Sequence, residues 1–425
     1  MLTRGGEWMG DLLEVHVEEL EWLWRQRCAA WRSAAYDERA LAQLDERIAS
    51  HADALALAGE EALLLLRTRL LEADTPHAAL EAAHALLLQE DDALAIQALN
   101  LFATLEGAPQ EGFRLALRYA PPERYVEALR RLAAGPSEGH AVAALEALAF
   151  HEQLDGGDRL LALLDSTESE TRRAVWDIVS LLGPKQLRNP GLAFFRQRLS
   201  ERFPEALVDS SPSVRAAVRE AAAWTRQGWL LSVLRKLAAA SSAADSVPAL
   251  RLLAVLGTQA DLPLFQAVVG RHELGAERFV LLGTFGHPSL MEEVLRAMVS
   301  GGPATAAAAS RAFRKMTGLD VDTAQRVAIS PDDGQQADED ILEEVHIPDS
   351  ALARAHWSGL KAGLAVGKRL LMGLDVTGGM IPLSSWRSVS PSASTRRRSC
   401  SPSTPLASCP RWWMATRACS RARAG

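Results

Sequence analysis

Glycine punctuates the middle of this chain at nearly constant intervals, and that spacing constrains the fold more than any motif does. From Gly228, the glycines of Leu256-Gly257, Phe285-Gly286 and Thr317-Gly318 follow after 29, 29 and 32 residues. Two short helices and two turns fill such an interval. A unit of that size cannot bury its apolar face alone, so successive units have to stack. Two earlier copies are visible. Leu160-Leu161-Ala162-Leu163-Leu164-Asp165, Glu170-Thr171-Arg172-Arg173-Ala174-Val175-Trp176 and Leu181-Leu182-Gly183 read as helix, acidic turn, helix and glycine stop. A looser copy runs from Ala206-Leu207-Val208-Asp209 through Ser213-Val214-Arg215-Ala216-Ala217 to Gly228. Small residues such as Ala174, Ala216, Ala217 and Ala308 allow neighbouring helices to approach closely.

Ahead of this array, Leu13, Val17, Leu20, Trp24, Cys28 and Trp31 recur at spacings of three and four and predict a helix from about Asp11 to Trp31. A second stripe, Leu41, Leu44, Ile48, Ala52 and Leu55, predicts an antiparallel partner that stops at Gly59. Thr75-Pro76 has the form of an N-cap and first-turn proline for a helix carrying Leu80, His84 and Leu87. Asp91 and Asp92 can open the next, through Ile96, Leu99 and Phe102 to Gly107. Helix follows helix, with no strand alternation between them.

The pattern of apolar helix, Asp turn, Val-Arg-x-Ala and Leu-Gly resembles HEAT repeats of the short kind seen in bacterial solenoids and bilin-lyase-like proteins. Glu18-Glu19-Leu20-Glu21-Trp22-Leu23-Trp24, Leu44-Asp45-Glu46-Arg47-Ile48 and Ala58-Gly59-Glu60 resemble a bacterial family of HEAT-like-repeat proteins with no assigned activity. So do Ala312-Phe313-Arg314-Lys315-Met316-Thr317-Gly318-Leu319 and Gly367-Lys368-Arg369-Leu370-Leu371-Met372-Gly373. The resemblance spans roughly residues 10–386 and implies a fold and a bacterial cytoplasmic setting, but no reaction. The expected fold is all-α: a right-handed α-solenoid of HEAT-like helix pairs with an N-terminal helical cap and a disordered C-terminal tail. Residues 1–135 form the Trp-rich N-terminal region, 136–325 the repeats, 326–350 an acidic linker, 351–382 a small helical appendage and 383–425 the tail.

The linker owes its assignment to Asp332, Asp333, Asp338, Glu339, Asp340, Glu343, Glu344 and Asp349, which lie between Arg326 and Arg354 without a basic residue. Beyond it, Trp357, Leu360, Leu364, Leu370 and Leu371 suggest the appendage. From about Leu383, serine, arginine, proline and cysteine replace Leu/Glu periodicity. Two readings of this tail stand: a shifted reading frame of GC-rich coding sequence, or a genuine basic disordered segment. No Asp or Glu follows Asp375, whereas eight arginines do; without them the formal charge of −7 becomes −15 on residues 1–375. An acidic body repels phosphate backbones, so no nucleic acid is expected on the folded part.

At 425 residues, 48% hydrophobic and 23% charged, the chain has the composition of a globular protein. No apolar stretch approaches the ~18 residues of a membrane span. Glu7, Asp11 and Glu14 precede any apolar run, the wrong layout for an export signal. Cys28 is the only cysteine before Cys400, and a lone thiol cannot staple a fold. No membrane association and a cytoplasmic location are expected.

Chemistry has few anchors. His151-Glu152 and His272-Glu273 begin like a zinc-protease helix, but Asp155 and Ala276 stand where the second histidine belongs, so turn or surface positions are expected. His77 and His84, seven apart, could share a helix face, against a plain helical role. Cys400, Cys409 and Cys419 lack CxxC spacing. Gly301-Gly302-Pro303 has no following lysine for a phosphate and reads as a turn. There is no Gly-x-Ser-x-Gly elbow. Trp176 and Asp177, the nearest approach to an alkyl-base glycosylase pair, point about 100° apart on a helix. Trp24 and Trp31 lie on the apolar stripe and are expected in the core, while Trp22 flanks it beside Val15 and could cap the edge between the first two helices. Trp224 and Trp229 are similarly open. No catalytic, cofactor-binding or metal-ligating residue is therefore expected, and no cofactor. The expected role is a non-enzymatic scaffold or adaptor for a protein partner. The alternative is a HEAT-like enzyme, glycosylase-like or chromophore-lyase-like.

Overall fold

The computed structural model describes residues 3–30, 38–89, 91–240, 243–329, 343–361 and 369–370. These residues are predominantly α-helical, with nineteen α-helices and two strands among them. None of these helices is long and apolar enough to cross a membrane. The described residues divide into two compact units, one up to Arg226 and one from Gln227 to Leu370. The expected boundary near residue 135 falls inside the first unit, between helices that pack on one another.

The first unit contains α1 (Thr3–Ala30), α2 (Glu38–Leu57), α3 (Glu60–Glu72), α4 (Pro76–Leu87), α5 (Asp92–Phe102), α6 (Gly107–Ala116), α7 (Val126–Ala133), α8 (Glu138–Phe150), α9 (Asp158–Leu164), α10 (Ser169–Gln186), α11 (Ala193–Ala206) and α12 (Pro212–Trp224). Each of the pairs α3/α4, α7/α8, α9/α10 and α11/α12 packs internally, and α4, α6, α8, α10 and α12 touch in succession. Ala79–Leu87 of α4 and Ala141–Ala149 of α8 are buried on every side, as apolar all-round helices must be. Gly112 lets α6 approach α4: a Cβ there would lie 2.4 Å from the Ala79 Cβ.

The predicted stripes are all core where described: Leu13, Val17, Leu20, Trp24 and Cys28 on α1, and Leu41, Leu44, Ile48, Ala52 and Leu55 on α2. Trp31 lies outside the described residues. The predicted caps form: the Thr75 hydroxyl accepts from the Ala78 amide at 3.2 Å and Asp91 from Ala93 at 2.7 Å.

The second unit holds α13 (Leu230–Ala238), α14 (Ala243–Leu256), α15 (Leu262–Val269), α16 (Glu277–Phe285), α17 (Met291–Ser300), α18 (Pro303–Thr317), β1 (Asp322–Ile329), β2 (Glu343–Pro348) and α19 (Ser350–Lys361). The alternation repeats: α14, α16 and α18 touch in succession, backed by α13, α15 and α17. The stops at Gly257, Gly286 and Gly318 close helices as expected, whereas Gly183 of the first unit kinks α10 at φ 53° without ending it. Gly286 and Gly318 cap α16 and α18 at φ 66° and 79°, a region only glycine adopts without strain.

The strands depart from an uninterrupted run of helices. β1 and β2 pair antiparallel, with Arg326 opposite His346 and Ile329 opposite Glu343. Val345 and Ile347 alternate with polar neighbours, and Val345 is buried. β2 packs on α18, and the Ser310 hydroxyl donates to Asp322 at 2.6 Å. Two edges of the acidic segment are thus ordered by β-branched side chains that its charge count concealed. Residues 330–342 of that segment, and the tail at 383–425, lie outside the described residues.

Candidate interaction surface

Helix α1 turns one stripe inward and leaves Leu12, Val15 and Trp22 about half exposed on its outer side. Val15 and Trp22, seven residues apart, return to within about 20° of each other, and Leu12 lies about 60° away. The exposed acids Asp11, Glu14 and Glu18 interleave with them. From α2, the Arg47 guanidinium lies 5.5 Å from the Trp22 ring and 3.8 Å from Glu19. Glu18 is 4.0 Å from Arg69 of α3, which exposes Leu64 and Leu71. Trp22 therefore does cap the edge between the first two helices, with its indole open to solvent.

Directly beneath lies a buried polar cluster. The Trp24 ring is 5.2 Å from His84 of α4 and 4.8 Å from Tyr119. The Arg27 guanidinium sits 5.2 Å from the Tyr119 ring and donates to Asp45 of α2 at 3.2 Å. Burial works against the Arg27 charge, but Tyr119 and Asp45 outweigh it and raise its pKa. Burial and the Arg27 charge push His84 down to about 4, so its imidazole is neutral. Burial pushes the carboxyl of Glu81, one turn earlier, up to about 9 despite Arg69 and Arg25. At neutral pH this core holds a neutral acid and a neutral imidazole.

A second buried centre joins α6 to α8. Arg114 donates to Glu146 at 2.6 Å, Arg118 to its other oxygen, and Arg114 also to Glu111 at 2.9 Å. Burial would raise the Glu146 pKa, but the two guanidiniums overcome it and hold the group ionised. Both centres consume their charges in holding helices together. Sequence inspection passed over Glu81 and Glu146, although a signal existed. Each stands in an Ala/Leu run apolar on all sides, where any charge has to be buried.

The other singled-out residues disperse. Among the described residues, no group of three or more His, Cys, Asp or Glu could hold a metal ion. His84 is buried against Trp24, whereas His77 is half-buried. A ring nitrogen of His151 lies 3.0 Å from the Leu117 carbonyl; Glu152 adopts φ 60° at a turn. His272 contacts Arg278 at 2.7 Å, and Glu273 pairs with Arg271 at 2.8 Å. Trp176 is fully buried against Phe203, and Asp177 pairs with Arg173 at 2.8 Å. Trp224 and Trp229 are half-buried. Gly301-Gly302-Pro303 is the turn opening α18. Cys400, Cys409 and Cys419 lie outside the described residues.

No family model matches this chain, and no curated protein does. Among solved structures, an engineered protein from a structural genomics consortium aligns over 71% of this chain and 89% of its own. It shares 16% identity at a TM-score of 0.32, too low for an argument about fold or function.

Proposed function

We propose that this chain is a non-enzymatic protein-binding scaffold of HEAT-like stacked helix pairs, a cytoplasmic bacterial adaptor that engages its partner through the outer side of α1. The observation that carries the reading is the half-exposed Trp22, flanked by Val15 and Leu12 and bracketed by Arg47. Exposed tryptophan on a rigid element is a common centre of protein–protein affinity. The cation–π contact orients the indole and is worth roughly 0.5–1 kcal/mol at such a site. The acids among the apolar side chains favour a partner segment that mixes apolar and basic residues. Support for HEAT-like pairing comes from the turn geometry: Arg172 donates to the carbonyls of Ser166 and Thr167, and Arg215 repeats the contact on Asp209 and Ser210 one unit later.

Affinity capture from a lysate of the source organism tests the reading, with the full chain and its Trp22→Ala and Val15→Asp variants compared at several salt concentrations. A protein retained by the parent and lost from both variants, at unchanged helical circular dichroism, is the expected result. Equal retention by all three, or none above background, overturns it.

A further inference from the structure

The geometry points to a guanidinium-binding site at the carboxyl ends of α14 and α16, one that takes an extended peptide bearing arginine and is filled here by the chain's own Arg369. It lies in the second unit and does not depend on the α1 surface.

Helix carboxyl ends leave backbone carbonyls without intrahelical donors. Here two such ends, at the glycine stops Gly257 and Gly286, converge on one side chain. Arg369 Nη1 donates to the Gly257 carbonyl and Nη2 to that of Ala254, each at 2.5 Å. Its Nε donates to the Phe285 carbonyl at 2.5 Å, and Nη2 reaches Thr284 at 3.3 Å. All three guanidinium nitrogens are engaged, an arrangement a lysine ammonium cannot reproduce.

Three further features make this a built cradle. The guanidinium lies 4.6 Å from the Phe285 ring, which stacks on Phe265 at 4.0 Å. Both helices present the negative ends of their dipoles, and the buried Asp261 carboxylate adds attraction. The backbone is read too: the Leu370 amide donates to the Gly286 carbonyl at 2.6 Å. Gly286 is at φ 66°, and a Cβ on it would come within 3.1 Å of the Leu370 carbonyl oxygen. Arginine followed by a residue with a free amide is therefore what the site recognises, and a tethered copy competes with any peptide offered in trans.

Fluorescence anisotropy with a labelled Gly-Lys-Arg-Leu-Leu-Met-Gly peptide tests this on the full chain and its Arg369→Ala variant. Saturable binding to the variant, roughly tenfold or more weaker binding to the parent, and none by a peptide with lysine for its arginine are expected. No binding to the folded variant, or equal binding of the lysine peptide, overturns the proposal. Should Arg369→Ala lose its helical circular dichroism, Arg369→Lys replaces it. In the parent chain, the Arg369 Nε proton, assigned in nuclear magnetic resonance spectra by its loss in Arg369→Lys, should exchange slowly with water. Exchange as fast as in an exposed arginine likewise overturns the site.

Discussion

Arg172 of α10 grips Asp209, in the turn before α12, with both edges of its guanidinium: Nε to Oδ2 at 2.8 Å and Nη2 to Oδ1 at 3.0 Å. The same arginine donates to carbonyls of its own turn, and Asp209 also accepts from the Ser211 amide at 2.8 Å. One carboxylate thus shapes its turn and ties it to the preceding helix pair. Asp209→Ala should lower stability by about 2–3 kcal/mol, because charge-assisted bonds are lost and a partly buried arginine is left unpaired. Urea denaturation measures this.

The pair also sets an acid response. The hydrogen bond from Arg172 holds Asp209 below its ordinary 3.8, against the effect of burial and with help from Ser211. A depressed carboxyl pKa contributes stability that is present above 3.8 and is lost as pH falls through the folded value. Asp209→Asn should flatten the stability profile below about pH 4. An unchanged acid limb contradicts the assignment.

Glu81 acts in the opposite sense. Its carboxyl is pushed up to about 9 from 4.5, so the folded state binds more protons than the unfolded between those values. Stability from this group is full below 4.5 and declines as pH rises toward 9. Glu81→Gln should stabilise the protein at pH 8, on the order of a few kcal/mol, with little effect at pH 4. Chemical denaturation at the two pH values checks it.

His84, lowered from 6.5 to about 4 by burial and by Arg27, contributes stability above 6.5 that is lost as pH falls toward 4. His84→Leu should remove that slope. The His84 ring proton shifts should stay at their neutral-imidazole positions from pH 7 to about 5 and move only as the pH approaches 4.

Glu146 balances Arg114 and Arg118 inside the first unit. Glu146→Ala should be the most destabilising of these changes, at about 3–5 kcal/mol, because the buried Arg118 loses its counter-charge and Arg114 is left with Glu111 alone. A loss below about 1 kcal/mol would mean that water reaches the site.

Trp22→Ala should leave stability within about 1 kcal/mol, since the indole is half exposed and its main loss is the contact with Arg47. Thermal unfolding measures this and separates a binding role from a folding role.

The parts of the fold legible in the sequence were those written in local periodicity. The α1 and α2 stripes, the Thr75 and Asp91 caps and the stops at Gly286 and Gly318 depend on neighbours three or four residues away. Trp22 at the edge of the stripe was legible for the same reason. The β1/β2 pairing was not, because two short alternating stretches flank an acidic run whose charge dominates any window. The partner of Arg27 was not, because Asp45 belongs to another helix. Arg369 meets carbonyls 84 to 115 residues away, a relationship local pattern does not encode.

The central claim is that α1 is the docking surface, and hydrogen–deuterium exchange of the full chain with and without its captured partner tests it most directly. Outer-side contact should slow exchange in α1 and the α2 stretch around Arg47, with α8 and α10 unchanged. Protection confined to helices other than α1 and α2 would contradict it.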